Sequence, residues 1–283
     1  MDYWVVVVAR NAAQNILATL TSLLRQTLPP IRIVVVNDGS SDKTSEILAQ
    51  ASHENPIIRV LTLPDRGYDI RRVPSNVNLA IGFSSNLKTE YFMISGDDCT
   101  YPPDYVASLI GRMSDNAKIA VASGRPSQLG VVSREHSPSG SGRVVRVSFM
   151  HDVGNKFPIR AGWEAWLLFK AEQVGLETKM FNEFVYAHVR PRGAGHQFTY
   201  WGAAMYTLGY HPLYALGRVV RALVKLTSLK ASMGFVKGYL TAALGSSDRF
   251  IAPFDPSLRK FVSIQQRREI ARVVVTAFSH GIG

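Results

Sequence analysis

Ile31-Arg-Ile-Val-Val-Val-Asn-Asp38-Gly-Ser-Ser-Asp42-Lys-Thr44 decides how the rest of the chain is read. Its first half is a continuous β-branched run, which suits a strand buried on both faces of a parallel sheet. The run stops at Asn37-Asp38-Gly39, a turn signal. Ser40, Ser41 or Asp42 can then cap a helix that carries apolar Ile47 and Leu48 and runs to about Ala51. Asp38 is therefore expected at the carboxyl end of a strand, beside a helix N-terminus. In open α/β sheets ligands bind at this place, and a carboxylate there can accept hydrogen bonds from a base or ribose. The plainer reading is a turn Asp that caps its own backbone. On this stretch alone the two readings stand level.

Outward from it, the same alternation recurs. Tyr3 to Ala9 reads as a first buried strand, broken by Arg10-Asn11-Ala12. Ile16, Leu20, Leu23 and Leu24 have helical spacing, giving a helix over Ala13 to Thr27 that Pro29 and Pro30 end. Ile57–Leu63 is a third strand, followed by an Arg-rich loop and a helix over Asn76 to Leu87. Tyr91–Ser95 is a fourth strand, ending in Gly96-Asp97-Asp98-Cys99, and Pro102-Pro103-Asp104 opens another helix. Ile119–Gly124 is a fifth. This is the pattern of an α/β fold with a doubly wound, mostly parallel sheet. Beyond it, Ser133–Gly142 reads as a mobile Ser/Gly/Pro loop and Arg143–Met150 as a strand. Gly162–Val174 reads as a helix stopped by Gly175, and Phe184–His188 as a last short strand.

The chain has 283 residues and 46% hydrophobic content, enough to build a sizeable core. A single cysteine, Cys99, excludes an internal disulfide framework and fits a reducing compartment. Asp2 leads straight into strand-like sequence with no basic leader, so no secretory signal is expected, and no apolar run is long enough for a membrane span. Residues 206–283 hold eleven Lys and Arg against three acids, which is +8 of the chain's +11. The expected organisation is a catalytic domain over 1–205 and a basic, helical extension over 206–283.

Two acidic sites follow strand ends: Asp38 after the second, Asp97 and Asp98 after the fourth. In such a sheet both can face one crevice. Adjacent carboxylates reach one spot only from a turn. A hard cation, Mg²⁺ or Mn²⁺, is their natural partner, with substrate phosphate oxygens completing its shell; otherwise Gly-Asp-Asp is a polar turn capping the next helix. No Gly-x-Gly-x-x-Gly follows the first strand and no Gly-x-x-x-x-Gly-Lys occurs, which argues against a dinucleotide Rossmann enzyme and a P-loop ATPase. No Gly-x-Ser-x-Gly elbow is present either.

In order, Val-Val-Val-Ala9-Arg-Asn11, Gln26-Thr-x-Pro29, the Asp38-Gly-Ser-Ser-Asp42-x-Thr44 stretch, and Glu90-Tyr-Phe-Met-Ile-Ser-Gly-Asp97-Asp98 followed by Pro102 resemble an inverting family-2 glycosyltransferase of the GT-A fold. The resemblance implies a hexosyl transfer from a nucleotide sugar, UDP- or GDP-linked. By it, Asp38 and Gly39 meet the base with Ala9, Asn11 and Asp42 around them. Arg72 and Asn78 lie near the diphosphate. Asp97 is the last Asp of the family's Asp-x-Asp metal motif, whose first Asp is Ser95 here, and Asp98 is the alternative ligand. The general base falls at Gly162-Trp-Glu-Ala-Trp166, where Ala165 replaces the usual Asp. Glu164 is then the base, with Trp163 and Trp166 able to stack on a sugar, and Asp152 is a second candidate. As an exposed first-turn residue, Glu164 would also simply favour the helix dipole. In Tyr186-x-His188-x-Arg190-Pro-Arg192-x-x-x-His196, His188 and Arg192 are candidates to complete the metal shell or bind the diphosphate.

From Tyr206 onward apolar faces edged by Lys and Arg suit helices lying in a membrane interface, at ~1 kcal/mol per basic residue near an anionic leaflet. The competing uses are packing on the catalytic domain or on a second subunit, a homo-oligomer. Nucleic acid is not an expected partner, since no recognised motif accompanies the charge. The expected protein is thus cytoplasmic and peripheral on the cytoplasmic membrane face, acting on a glycan or polyprenyl-linked acceptor. A nucleotidyltransferase on a related sheet, or a nucleotide-sugar-binding relative without catalysis, are the alternatives.

Overall fold

The structure, a computed structural model, describes residues 1–127, 137–189, 195–225, 229–245 and 247–280. The chain folds as two compact units: one comprises Met1–Pro158 with Val174–Pro191, the other Ile159–Gln173 with Arg192–Gly283.

The first unit is built on eight strands: β1 (Tyr3–Ala9), β2 (Arg32–Asn37), β3 (Ile58–Thr62), β4 (Tyr91–Gly96), β5 (Cys99–Thr100), β6 (Ile119–Pro126), β7 (Arg143–Arg146) and β8 (Glu177–His188). Their order is β3-β2-β1-β4-β7-β6-β8-β5. β1 pairs in parallel with β2 and β4, β2 with β3, and β6 with β8. β7 lies antiparallel between β4 and β6, and the short β5 lies antiparallel on β8. The sheet is therefore mixed and mostly parallel.

The helices are α1 (Ile16–Leu24), α2 (Thr44–Glu54), α3 (Val73–Phe83), α4 (Tyr105–Asp115) and α5 (Val147–Asp152). Alternation of side chains along each strand divides the core in two. Tyr3, Val5, Val7, Ile33 and Val35 point to one face and cluster with Leu20 and Leu23 of α1, Leu48 of α2 and Leu109 of α4. Trp4 and Phe92 stack on the other face, where α3 packs against β1 and β2. Burial on both faces is why these strands read as unbroken apolar runs.

Several expected elements shift. The first helix is shorter than Ala13–Thr27, and α3 begins at Val73 rather than Asn76, because Pro74 fits a first helical turn. The Arg143–Met150 segment is half strand: the amide of Val147 turns to the carbonyl of Glu90 and the chain winds into α5, burying Phe149 and Met150. The last strand starts at Glu177, with register shifts against β6 that hide its length from pattern reading. Residues 128–136 lie outside the described residues. The described end of that Ser/Gly/Pro loop is packed. Pro138 and Ser139 are buried, the amide of Ser139 donates to Ser123 Oγ, and Arg143 donates to the carbonyls of Pro138 and Ser139.

The second unit is helical: α6 (Trp163–Gln173), α7 (Gly195–Thr207), α8 (Pro212–Lys225), α9 (Leu229–Ala243) and α10 (Pro256–His280). α7 and α9 cross closely because Gly202 faces Phe235 and Gly238 faces Thr199. A Cβ at either glycine would overlap the facing residue's backbone oxygen.

Candidate active site

The register of the parallel strands places the two acidic sites side by side. Ala9 pairs with Asn37 on one side of β1, and Val8 with Gly96 on the other. Arg10, one residue past β1, then joins them. Its amide donates to Asp97 Oδ2 at 3.3 Å, and its guanidinium donates to the carbonyls of Asp38 and Gly39 and to Asp65 Oδ1 at 2.6 Å. Asp38 itself is 7% exposed. Arg72, from the short 3₁₀ turn before α3, donates to both of its carboxylate oxygens, with Nη2 3.0 Å from Oδ2. That contact holds the Arg72 guanidinium further in its charged form. Arg72 also donates to the carbonyl of Gly67, tying the Asp65–Gly67 loop to the site.

The β2–α2 turn is kept in shape by its own side chains. Asn37 accepts from the amide and hydroxyl of Ser40 and donates to Ser45. Asn11 has a left-handed backbone, φ 48°, and its Oδ1 accepts the amide of Ser41 at 2.9 Å. Asp42 accepts from the amide and hydroxyl of Thr44 and from the amide of Ala13. Partial desolvation works against these bonds, yet they hold its carboxyl below the usual range. Asp42 thus meets the first amide of α2, and Ser40 Oγ accepts the Asn11 amide, which leaves the Asp38 carboxylate to Arg72.

Gly39 sits at φ +64°, and a Cβ there would lie 2.6 Å from the Asp65 amide nitrogen. Both the conformation and the space demand glycine.

Asp97 and Asp98 form the two-residue turn between β4 and β5. The turn sends their carboxylates to different partners. Asp97 meets the Arg10 amide, while Asp98 Oδ1 lies 3.7 Å from His188 Nε2 and 3.7 Å from Cys99 Sγ. Cys99 and His188 come together because they are directly opposed in the β5–β8 pair, so their side chains share a face. The ligand atoms of Asp98, Cys99 and His188 all lie within 4.8 Å of one another. Burial and the adjacent Asp98 charge push the Cys99 thiol up to about 12, against hydrogen bonds from Ser141, Tyr101 and the Gly96 amide. Ser95, where the resemblance puts an Asp, is buried and shares a 2.9 Å hydrogen bond with Tyr101.

The chain matches the family model described as glycosyl transferase family 2 over residues 4–175. It belongs to this family. A chondroitin synthase of Pasteurella multocida (strain Pm70) is 32% identical over 76 residues, 27% of this chain and 7% of that one. YibD of Escherichia coli (strain K12), an uncharacterized glycosyltransferase, is 25% identical over 116 residues, 41% of this chain and 32% of its own length. The matches thus span a third or less of these relatives. Among solved structures, the mannosyltransferase PcManGT from Pyrobaculum calidifontis, in complex with GDP-Man and Mn²⁺, superposes with a TM-score of 0.59 at 16% identity, covering 99% of this chain and 80% of that one. S. aureus TarS 1–349 gives 0.56 at 14% identity, covering 84% and 79%. The fold of this family 2 chain is GT-A, and the nucleotidyltransferase alternative is set aside.

The remaining candidates have these surroundings. Asn78 is clasped to the backbone of Phe157, donating to its carbonyl at 2.8 Å and accepting its amide at 2.7 Å. Asp152 is the exposed last residue of α5. Glu164 lies in the first turn of α6, on a cavity of about 210 Å³ in the second unit, lined also by Tyr200, Trp201, Tyr210 and Arg218. Burial first, and the Glu164 charge second, raise the phenol of Tyr200 above its ordinary range. Trp163 and Trp166 are both buried, so packing occupies the ring faces expected to stack on a sugar. Arg190 and Arg192 lie outside the described residues, and of His196 only the backbone is described.

Sequence pattern marks Arg10 only as a strand breaker and Cys99 only as a redox indicator. The signal for Arg10 is a cation one residue past a strand whose neighbours both end in carboxylates. Nothing local marks Cys99, because its partner His188 is distant in sequence.

Proposed function

We propose that this family 2 chain transfers a sugar, of hexose type, from a nucleotide diphosphate, UDP- or GDP-linked, to a hydroxyl of a glycan or polyprenyl-linked acceptor with inversion. The observation that carries this is Arg10, which ties Asp97 to the Asp38 turn and to Asp65 after β3, at the carboxyl ends of adjacent parallel strands. The likeness in fold to enzymes titled with UDP-GlcNAc and with GDP-Man and Mn²⁺ supports the same donor class.

In this reading the Asp38 carboxylate, paired with Arg72, accepts a hydrogen bond from the base. Asn11 and Gly39 wall the base site beside Ala9. Arg72 is the cation that would change partners from Asp38 towards the diphosphate. Asp97, Asp98 and His188 are the residues that would hold Mn²⁺ or Mg²⁺, and the oxygen and nitrogen donors clustered at Asp98 and His188 fit a divalent ion. Such an ion, when bound, offsets diphosphate charge as the leaving group departs. Glu164 takes the proton of the acceptor hydroxyl. That oxygen bonds to the anomeric carbon as the carbon–phosphate-oxygen bond breaks on the opposite face, and the electron pair leaves with the nucleoside diphosphate. Asp152 is the second candidate for the base.

The same reading places the protein on the cytoplasmic face of a membrane, held there through its basic helices. No helix among the described residues is long and apolar enough to cross a membrane. Two exposed apolar stripes support a surface attachment. Leu213, Leu216 and Val220 form one on α8, and Leu229, Met233, Val236 and Leu240 on α9 continue into Leu244 just beyond it. Exposed Arg218, Lys230 and Lys237 flank them, as attraction to an anionic leaflet requires. Vesicles containing phosphatidylserine should sediment the protein, and Leu216→Ser with Leu240→Ser should release it. Salt-insensitive dimers that do not bind vesicles would assign the stripes to a second copy instead.

The central test is thermal shift with a panel of UDP- and GDP-sugars, with Mn²⁺ or after chelation. A ligand that binds the folded state raises Tm by mass action. One nucleotide family should raise it with Mn²⁺, and Asp97→Ala should remove the Mn²⁺ dependence. If no nucleotide sugar binds under either condition, the transferase reading goes, and a relative that has lost its donor takes its place.

A further inference from the structure

We propose that Asp98, Cys99 and His188 form a sulfur-containing site for a divalent cation, one that binds zinc and cobalt more tightly than Mg²⁺ or Mn²⁺ while still admitting the latter. The proposal deepens the metal assignment above and rests on it only for placing Asp98 and His188 at the site.

Three observations carry it. The cross-strand pairing of Cys99 with His188 fixes both side chains on one face of the β5–β8 ribbon, and the turn delivers Asp98 beside them. The distances are close to those of a closed site. Zinc bonds of about 2.0–2.3 Å hold tetrahedral ligand atoms roughly 3.3–3.8 Å apart. Asp98 Oδ1 is 3.7 Å from both Cys99 Sγ and His188 Nε2, and no pair among the three exceeds 4.8 Å. Adjustments of roughly an ångström would close the set, leaving a fourth position for solvent or a substrate oxygen. Finally, the Ser141 hydroxyl and the sulfur lie side by side against Gly96, 3.0 and 3.1 Å from where a Cβ there would stand. A hydroxyl so placed can orient a ligating sulfur and stabilise its negative charge. Tyr101 is fixed by Ser95 and packs against Tyr105 of α4 and Tyr186, which shares the β8 face with His188.

The donor chemistry then sets the preference. Carboxylate and water alone suit Mg²⁺ and Mn²⁺. Adding imidazole and thiolate moves the site to the borderline-soft end of the divalent series, where zinc and cobalt bind far more tightly. Binding replaces the Cys99 sulfur–hydrogen bond with a sulfur–metal bond and releases one proton to solvent.

The full chain, stripped of metal with a chelator, is titrated with Co²⁺ and followed by absorption. Thiolate ligation gives an intense near-ultraviolet sulfur-to-cobalt charge-transfer band, and zinc should abolish it at one equivalent per chain. Cys99→Ser is nearly isosteric, and its Tm reports whether it folds. It should lose the band while retaining weaker cobalt binding through Asp98 and His188, and its zinc affinity should fall by roughly tenfold or more. Absence of the band in the unaltered protein, or unchanged zinc affinity in folded Cys99→Ser, overturns the proposal. Donor binding is measured separately in Mn²⁺. A band without donor binding leaves the site standing and removes the sugar-nucleotide reading, and donor binding without a band does the reverse.

Discussion

The guanidinium of Arg72 grips Asp38 through two nitrogens, Nε 3.2 Å from Oδ1 and Nη2 3.0 Å from Oδ2. The pair bridges 34 residues of sequence and is mostly buried, with side-chain exposures of 22% and 10%. A hydrogen bond to a charged group is worth about 1.5–3 kcal/mol. Asp38→Ala should therefore weaken nucleotide binding by roughly 10–150-fold in calorimetry with little change in overall fold. Arg72→Ala, which leaves the acceptor in place, should cost less. Equal affinity in Asp38→Ala would leave this residue only its structural pairing with Arg72.

Glu164→Gln keeps size and hydrogen-bonding shape but cannot accept the acceptor's proton. It should lower kcat by roughly 10²–10⁴-fold while donor affinity stays unchanged. Asp152→Asn should leave both alone. The reverse pattern would move the base to Asp152.

Gly39→Ala is expected to be among the most damaging small substitutions in the chain. The new Cβ would lie 2.6 Å from both the Pro64 carbonyl oxygen and the Asp65 amide nitrogen, and the residue must also hold φ +64°. A non-glycine residue forced into that backbone region costs on the order of 1–3 kcal/mol before any clash is counted. The substitution should lower Tm by several degrees and weaken donor binding with it. Gly67→Ala makes a control, since its φ is also positive but the space around it is open.

Acid should weaken the donor loop. The Asp65 carboxyl is held below its usual range, chiefly by the hydrogen bond from Arg10, and Asp69 likewise by Arg71. A carboxyl depressed in the folded state contributes stability above its unfolded value of about 3.9 and loses it as pH falls through the folded value. Donor affinity and Tm should be flat above about pH 5 and decline below about pH 4. Asp65→Asn should flatten that decline. Asp65 is half exposed and Asp69 partly so, so the change in Tm should be small, and high salt should shrink it further.

Sequence alone determined the alternation of strands and helices over residues 3–124, the two-residue β5 apart. Long β-branched runs such as Ile33–Val36 have few uses other than a strand covered on both faces, and Asn37-Asp38-Gly39 has few other than a turn. Asp38, Asp97 and their placement at strand ends were legible for the same reason, because they follow from local pattern and parallel topology. Three-dimensional structure decided what pattern cannot carry. The β-pairing of Cys99 with His188 joins residues 89 apart in the chain, so no local period announces it. The fold also placed the tyrosines behind that pair: Tyr186 shares the β8 face with His188, whereas Tyr105 comes from α4. The hydrogen bonds of Arg10, and the choice of Asn78 to clasp Phe157, likewise depend on which loops the sheet brings into reach. Local preference writes elements into a sequence, while contacts between distant residues exist only once loop-closure entropy has been overcome by the packed core.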